Sequence, residues 1–500
     1  MNGRVPIRAL PSGVPGFDDV LGGGIPEFSL TLVVGGPGCG KTTLGHQVMF
    51  ANASPDRRAL FFSIIGEPPI KMLRYQQQFS FFDAAKIDDS IHFVHLGQEA
   101  NEGGLAKVLQ RIVEAVDAYN PGIVVVDSFR SMMRRTLQAP SGEMELQDFM
   151  QRLALHLTSC QATTFLLGEY DDDEYDSSVF TVADGIVWLY QAVDRNSVVR
   201  KVRVQKMRGQ AQIPGLHTMR ITNDGLRLFP RILKPELSSS YHRPLEQRLT
   251  TGVPELDAMS GGGIPRGYAV LVAGPSGSGK TLLSNQFILA GAENGEPGVI
   301  AVFEKRPNDY LATNARASAL DTLISEKKVE VLYIRPLDLS IDETLTALRE
   351  AVLRIGAKRA VIDSLSGLEL ALAPTFRQDF RESLYRMVGA LTEMGVTVMS
   401  TVEMPDRYGS LEFSPHGIAF LNDAIIIQRY LEIDGALSRA LSVIKVRGSD
   451  HSKEVREYVV NSHGQIVIGK VLNGYEGLLT GAPSSVEDQD GVEGLLPRDR

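Results

Sequence analysis

The chain repeats itself. Ser12 to Thr43, SGVPGFDDVLGGGIPEFSLTLVVGGPGCGKTT, aligns without a gap to Thr251 to Leu282, TGVPELDAMSGGGIPRGYAVLVAGPSGSGKTL. The same spacing pairs Asp184 with Asp423, Lys206 with Lys445 and Arg208 with Arg447, so the halves correspond over their lengths. A duplicated supersecondary pattern constrains a fold strongly, because each copy must build the same core. At 500 residues the chain is also too long for one hydrophobic core. Two domains are expected, 1–238 and 239–481. The join is expected within PELSSSYHRPLEQR, Pro235 to Arg248, which is polar, holds two prolines and lacks apolar periodicity. Residues 482–500 carry five carboxylates, two arginines and few large apolar side chains, and are expected to form a flexible acidic tail.

Within each half the pattern reads as α/β. Leu30 to Val34 is a short apolar strand, a glycine loop follows, and a helix is expected from about Lys41; Ala269 to Lys280 repeats the order. Leu105, Val108, Leu109, Ile112 and Val116 share one helical face and lead into the β-branched run Ile123 to Val126, which ends at Asp127. Leu345, Leu348 and Val352, then Val361, Ile362 and Asp363, are the counterpart. Strands alternating with helices predict a mostly parallel sheet covered on both faces.

Charge narrows the partners. A formal net charge of -9 argues against wholesale binding to nucleic acid or anionic membrane. The N-terminal residues have no apolar signal region and no run of about 20 apolar residues occurs, so a cytoplasmic protein is expected. The two cysteines, Cys39 and Cys160, fit a reducing compartment and lead us to expect neither a disulfide framework nor a thiol-based metal cluster.

The chemistry is concentrated at the glycine loops. Gly35, Gly40, Lys41 and Thr42 fit G-x-x-x-x-G-K-[ST], and Gly274, Gly279, Lys280 and Thr281 fit it again. In such a P-loop, glycines turn backbone N–H groups inward around phosphates and the helix N-terminus adds partial positive charge. The lysine reaches the β and γ phosphates, and the hydroxyl ligates Mg2+. The expected nucleotide contacts are Gly36, Gly38, Cys39, Gly40, Lys41, Thr42 and Thr43 in the first half. Ser276, Gly277, Ser278, Gly279, Lys280, Thr281 and Leu282 are their equivalents in the second. Asp127 and Asp363, at the carboxyl ends of their strands, are expected to complete the Mg2+ sites with Thr42 and Thr281, although a strand-end Asp can also cap a helix.

Hydrolysis of ATP needs a group that positions or deprotonates water. Glu304 in VIAVFEKRP stands at a strand tip; in LFFSIIGEPP the first carboxylate is Glu67, after Ile65 and Gly66. Either can instead be a solvated loop carboxylate. Glu169 and Glu403, ending later strands, are candidates for sensing the γ-phosphate. The repeated K-x-R-G segments, Lys206 with Arg208 and Lys445 with Arg447, are either solvated strand ends or phosphate ligands, and their recurrence favours the second.

These leaders, P-loops, strand-end VVVDS and VIDSLS, and paired K-x-R-G segments, the second continuing as KVRGSDH with His451, resemble the KaiC family of circadian clock ATPases and autokinases and the wider KaiC-like RecA ATPases. The resemblance covers nearly the whole chain. It implies two tandem RecA-like P-loop domains stacked as rings in a homohexamer, with ATP between subunits. Lys41, Thr42 and Asp127 would serve from one protomer while Lys206 and Arg208 reach in from its neighbour. Lys280, Thr281 and Asp363 would do likewise with Lys445, Arg447 and His451. Two departures stand out. The family's adjacent glutamate pair aligns with Ile65 and Gly66 in the first half and with Glu304 and Lys305 in the second. Its adjacent Ser-Thr phosphoacceptors align with Ala419 and Phe420, which have no hydroxyl, with Ser414 nearby.

The leading expectation is therefore a KaiC-like ATPase, with Ser/Thr autokinase activity as an accompaniment and a signalling or clock protein as partner. A RecA-type DNA-dependent ATPase, with Arg134, Arg135, Lys201 and Arg203 lining a pore, is the alternative, disfavoured by the acidic balance. An ATP-gated scaffold without turnover is another.

Overall fold

The computed structural model describes residues 7–64, 69–128, 142–170, 178–194, 197–231, 246–304, 306–312, 317–334, 339–377, 380–404, 415–433, 435–480 and 484–485. Two compact units emerge, Met1–Arg231 and Ile232–Arg500.

The first unit is built on a nine-stranded sheet. Strand β1 (Leu30–Gly35) runs into the glycine loop and helix α1 (Lys41–Asn52). Next come β2 (Ala59–Ser63), β3 (Ile91–His95), α2 (Gly97–Tyr119), β4 (Ile123–Asp127), α3 (Gly142–Ser159) and β5 (Thr163–Gly168). β6 (Gly185–Asp194), β7 (Ser197–Met207), β8 (His217–Thr222) and β9 (Gly225–Phe229) finish it. The order is β9-β8-β7-β6-β1-β5-β4-β2-β3. β6 through β3 run parallel, while β7, β8 and β9 extend the edge as antiparallel neighbours.

Alternation along the strands explains the layers. Val124 and Val126 of β4 pack with Val108, Ile112 and Val116 of α2, whereas Ile123 and Val125 face Leu44, Val48 and Met49 of α1. Successive side chains of a strand point to opposite faces, so a strand covered by helices on both sides must be apolar throughout. Each such Val or Ile contributes about 1.5–3 kcal/mol by its burial. Gly104 interrupts α2 with φ 61 and ψ -155, and the regular apolar stripe runs from Leu105.

The second unit repeats this plan. Its strands are β10 (Ala269–Gly274), β11 (Gly298–Val302), β12 (Val329–Tyr333), β13 (Arg359–Asp363), β14 (Thr397–Glu403), β15 (Ala424–Ile433), β16 (Ala436–Val446), β17 (Val455–Val460) and β18 (Ile466–Val471). Helices α4 (Lys280–Glu293), α5 (Ile341–Ile355) and α6 (Phe380–Glu393) cover them. The order β12-β11-β13-β14-β10-β15-β16-β17-β18 is that of the first sheet read from its other edge. α5 shows why the sequence starts and stops there. Ser340 accepts from the Glu343 amide at 3.1 Å, Asp342 and Glu343 occupy the positive first turn, and Gly356 ends the helix at φ 65.

In both units the central strand, β1 or β10, lies between two parallel strands, and its carboxyl end opens into the glycine loop. A parallel sheet presents ligands at this edge. Among the described residues, no helix is long and apolar enough to cross a membrane.

Candidate functional site

The first cradle depends on backbone that only glycine adopts. Gly40 caps α1 at φ 106, and Gly35 has φ 149 with space for a Cβ blocked by Leu189 O at 2.1 Å. Lys41 is buried and crosses its own loop, Nζ donating to Gly35 O at 2.9 Å and Gly36 O at 2.8 Å. One residue on, Thr42 Oγ1 donates to Asp127 Oδ2 at 2.7 Å, joining the helix start to the tip of β4. Burial pushes the Asp127 carboxyl up, against the pull of Thr42 and Lys41, with Glu169 adding to the rise. Gly38 is exposed at the loop tip, and Thr43 is half-buried one residue beyond Thr42.

The second cradle is the same device. Gly279 caps α4 at φ 101, and Lys280 Nζ donates to Gly274 O at 2.9 Å and Pro275 O at 2.7 Å. Two of the ammonium's three donors are engaged in this way. A cavity of about 450 Å³ opens here. Its wall includes Ser276, Gly277, Gly279, Lys280, Thr281 and Leu282 from the loop, with Glu304, Asp363, Ser364 and Glu403 from the strand tips and Tyr310 beside them. Burial lowers the Lys280 pKa, while Glu403, Asp363 and Glu304 oppose that shift. Asp363 is pushed up by burial, then held back by hydrogen bonds from Thr401 and Thr281.

Glu304 is positioned by its neighbours. Ser364 Oγ donates to Glu304 Oε1 at 2.9 Å and at the same time accepts from the Gly367 amide at 2.9 Å, capping the short helix Leu365–Ala371. Gly367 lies so close that an added Cβ would stand 2.7 Å from Glu304 Oε1. The glutamate is thus exposed toward the cavity yet held from two sides.

Cys39 and Ser278 turn their side chains inward, Cys39 Sγ accepting from Lys41 Nζ at 3.9 Å. The Cys39 side chain lies in the apolar core, where burial raises its pKa, and Ser278 Oγ donates inward to Gln428 Oε1 at 3.1 Å. The K-x-R-G cations do not join their own cradle. Gly35, at the loop, pairs with Leu189 of β6, whereas Met207, beside Lys206 and Arg208, pairs with Gly185 at the start of that strand. The separation is about 13 Å along the strand at ~3.3 Å per residue. At that far end Lys206 Nζ donates to Ala183 O at 2.6 Å and Arg208 Nη1 pairs with Asp184 Oδ1 at 2.9 Å. Lys445 with Asn422 O at 2.7 Å and Arg447 with Asp423 Oδ1 at 3.1 Å repeat it, with His451 in the loop just beyond. Glu67, Ile65, Gly66, Lys305, Arg134, Arg135, Ser414 and most of the expected join and tail lie outside the described residues.

Three contributors escaped the sequence reading, namely Thr401, Ser364 and Tyr310, whose hydroxyl donates to Asn285 Oδ1 at 2.7 Å. One cluster lies apart from the expected sites: ligand atoms of Cys160, His156 and Asp117 stand within 4.8 Å of one another. The group spans two helices, which no local motif discloses.

The sequence model of the family described as "ATPase: KaiC" matches residues 10–232 and again 249–472. The chain belongs to the KaiC ATPase family. Among curated relatives, the circadian clock oscillator protein KaiC of Parathermosynechococcus lividus is 28% identical over 497 residues, covering 96% of this chain and 89% of the relative. Circadian clock oscillator protein KaiC 1 of Synechocystis sp. (strain ATCC 27184 / PCC 6803 / Kazusa) is 27% identical, covering 97% of this chain and 93% of its own. Circadian clock oscillator protein KaiC of Prochlorococcus marinus (strain MIT 9313) is 26% identical, with 97% of each chain covered.

Membership of a KaiC ATPase family implies nucleotide use, and the glycine loops have the shape and donors such a ligand requires. The donors also suit a hard divalent cation beside it. Threonine hydroxyl and aspartate carboxylate are oxygen ligands of the kind Mg2+ takes. Three carboxylates around Lys280 would repel a polyphosphate unless a cation joined it.

Proposed function

We propose that this KaiC-family ATPase binds Mg2+-ATP in both units and hydrolyses it, with Glu304 activating water in the second. The observation that carries this reading is the doubled wiring of lysine, threonine and strand-end aspartate: Lys41 to its loop, Thr42 to Asp127, and Lys280 to its loop beside Asp363. Mg2+, when bound, would be held by Thr42 and Asp127, or Thr281 and Asp363, and would neutralise charge on the β and γ phosphates. Lys41 and Lys280 bind the phosphates, and Glu304, held by Ser364, accepts a proton from water. Glu67 is the corresponding proposal for the first unit.

We further propose that Lys206 with Arg208, and Lys445 with Arg447 and His451, complete a neighbour's site in a homohexamer. Their position at the far end of the sheet from their own loop supports this. The domain limits 1–238 and 239–481, the tail 482–500 and work in the cytoplasm, supported by two unpaired cysteines, are part of the same proposal. A signalling partner reads the nucleotide state, and autokinase activity, if present, uses a hydroxyl other than the position of Ala419 and Phe420.

The test is ATP binding by the Lys41→Ala, Lys280→Ala and doubly substituted chains. Each single variant should lose one class of site and the double variant both. Unchanged affinity in the double variant would refute the reading.

A further inference from the structure

We propose that Asp117, His156 and Cys160 form a binding site for one borderline-soft divalent metal ion of the Zn2+ class on the helical layer of the first unit. His156 and Cys160 stand one turn apart at the end of α3, where the Cys160 amide donates to His156 O at 3.0 Å. Asp117 comes from the last turn of α2. The imidazole Nε2 lies 3.1 Å from Asp117 Oδ1 and 3.8 Å from Cys160 Sγ.

Both separations from Nε2 are close to those of a coordination shell, and the carboxylate and thiol atoms lie within 4.8 Å of each other. Around tetrahedral Zn2+, with bonds of about 2.0 Å to nitrogen and oxygen and about 2.3 Å to sulfur, ligand atoms stand about 3.3 Å apart for N and O and about 3.5 Å for N and S. A catalytic relay would look different. There the carboxylate holds Nδ1 while the nucleophile uses Nε2, so two ring nitrogens are needed. Here thiol and carboxylate converge on one nitrogen. An ordinary His–Asp pair explains the shorter distance but not a thiol brought to the same atom beside a carboxylate.

Imidazole, thiolate and one carboxylate favour Zn2+ over Mg2+. The fourth position faces solvent, since the Asp117 and His156 side chains are 59% and 26% exposed. Such an ion would staple the end of α2 to the end of α3.

Co2+, added to the reduced, nucleotide-free full chain, is the probe. One equivalent should produce a thiolate-to-cobalt charge-transfer band with tetrahedral visible bands, displaced by Zn2+ and unaffected by excess Mg2+. Cys160→Ser should abolish the charge-transfer band, and Cys39→Ser should retain it. His156→Ala and Asp117→Asn should each weaken Co2+ binding about tenfold or more. Circular dichroism checks that each variant is folded, and the half-exposed Asp117→Asn carries the test if His156→Ala is not. No band in the parent chain, a band that survives Cys160→Ser, or affinity unchanged in Asp117→Asn would overturn the proposal.

Discussion

Thr401 Oγ1 of β14 donates to Asp363 Oδ1 at 2.5 Å, whereas the matching residue of β5, paired with Asp127 in the first unit, is Leu167. The two strand-end carboxylates are therefore not equivalent. Asp363 receives from β14 a hydrogen bond that Leu167 of β5 cannot give Asp127, and a hydrogen bond to a charged group favours its ionised form.

Thr401→Val keeps the shape and removes that donor. The Asp363 carboxyl, already raised by burial, should rise further. Mg2+-dependent ATP binding in the second unit, measured on a Lys41→Ala background, should then fail at higher pH on acidification. The shift expected is about one to two pH units, from a charged hydrogen bond worth about 1.5–3 kcal/mol. An unmoved acid limb would show that Thr401 has no part in setting the charge.

Glu304→Gln should leave ATP affinity nearly unchanged while turnover in the second unit falls by about 10²–10⁴-fold. Gly367→Ala is a separate probe of the same carboxylate. Its Cβ would meet Glu304 Oε1 rather than backbone, so the helix should survive while the glutamate is displaced. Single-turnover hydrolysis alongside equilibrium binding separates the two effects. A Gly367→Ala chain with full turnover would argue against Glu304 as the base.

Mixing variants tests whether cations act across subunits. On a Lys280→Ala background, Lys41→Ala and Arg208→Ala chains should each have little ATPase activity, and reassembled mixtures should regain about a quarter of the parental rate if each contact joins two subunits at random. No recovery would place Arg208 outside the neighbouring site.

His46 gives the first unit a pH dependence. It is fully buried among Phe50, Phe61 and Phe93, neither ring nitrogen has a hydrogen-bond partner, and burial lowers its pKa from 6.5 to about 3. The unfolded chain then binds a proton that the folded chain refuses. Its stability contribution is complete above pH 6.5 and declines as pH falls toward 3, by about 1.4 kcal/mol per unit. Urea unfolding followed by Trp188, the chain's one tryptophan, should show this slope, and His46→Leu should flatten it.

Arg359 is the buried charged group to probe in the second unit. It is 1% exposed, its Nη2 pairs with Glu296 Oε2 at 2.5 Å, and its Nη1 donates to Thr250 O at 2.7 Å and Phe287 O at 2.6 Å. Arg359→Ala would strand Glu296 and two carbonyls. The expected loss is about 3–5 kcal/mol, visible as an earlier transition by far-ultraviolet dichroism with the Trp188 signal unmoved.

The sequence revealed what is local and periodic. Gly35 through Thr42 carry their meaning in spacing, and Ile123 to Asp127 declare a buried strand ending in a charge, so both cradles and their aspartates could be read before any fold was known. Contacts made across strands could not. Thr401 reaches Asp363 from the next strand, and Ser364 holds Glu304 from a different element. Comparing the halves offered one missed clue, Leu167 standing where the second copy has Thr401. The K-x-R-G repeat was legible as a pair, but its distance from its own loop follows from the pairing of Gly185 with Met207, which needs the sheet.

That distance has a consequence for how such a molecule is switched. If the K-x-R-G cations serve a neighbour as proposed, each sheet bears its glycine loop at one rim and these cations at the opposite rim, so a single copy is a plug and a socket that cannot be mated to each other. On that proposal only head-to-tail contact between copies would join them, and such contacts either close on themselves or grow without end. Dilution alone should then silence turnover while leaving every strand in place.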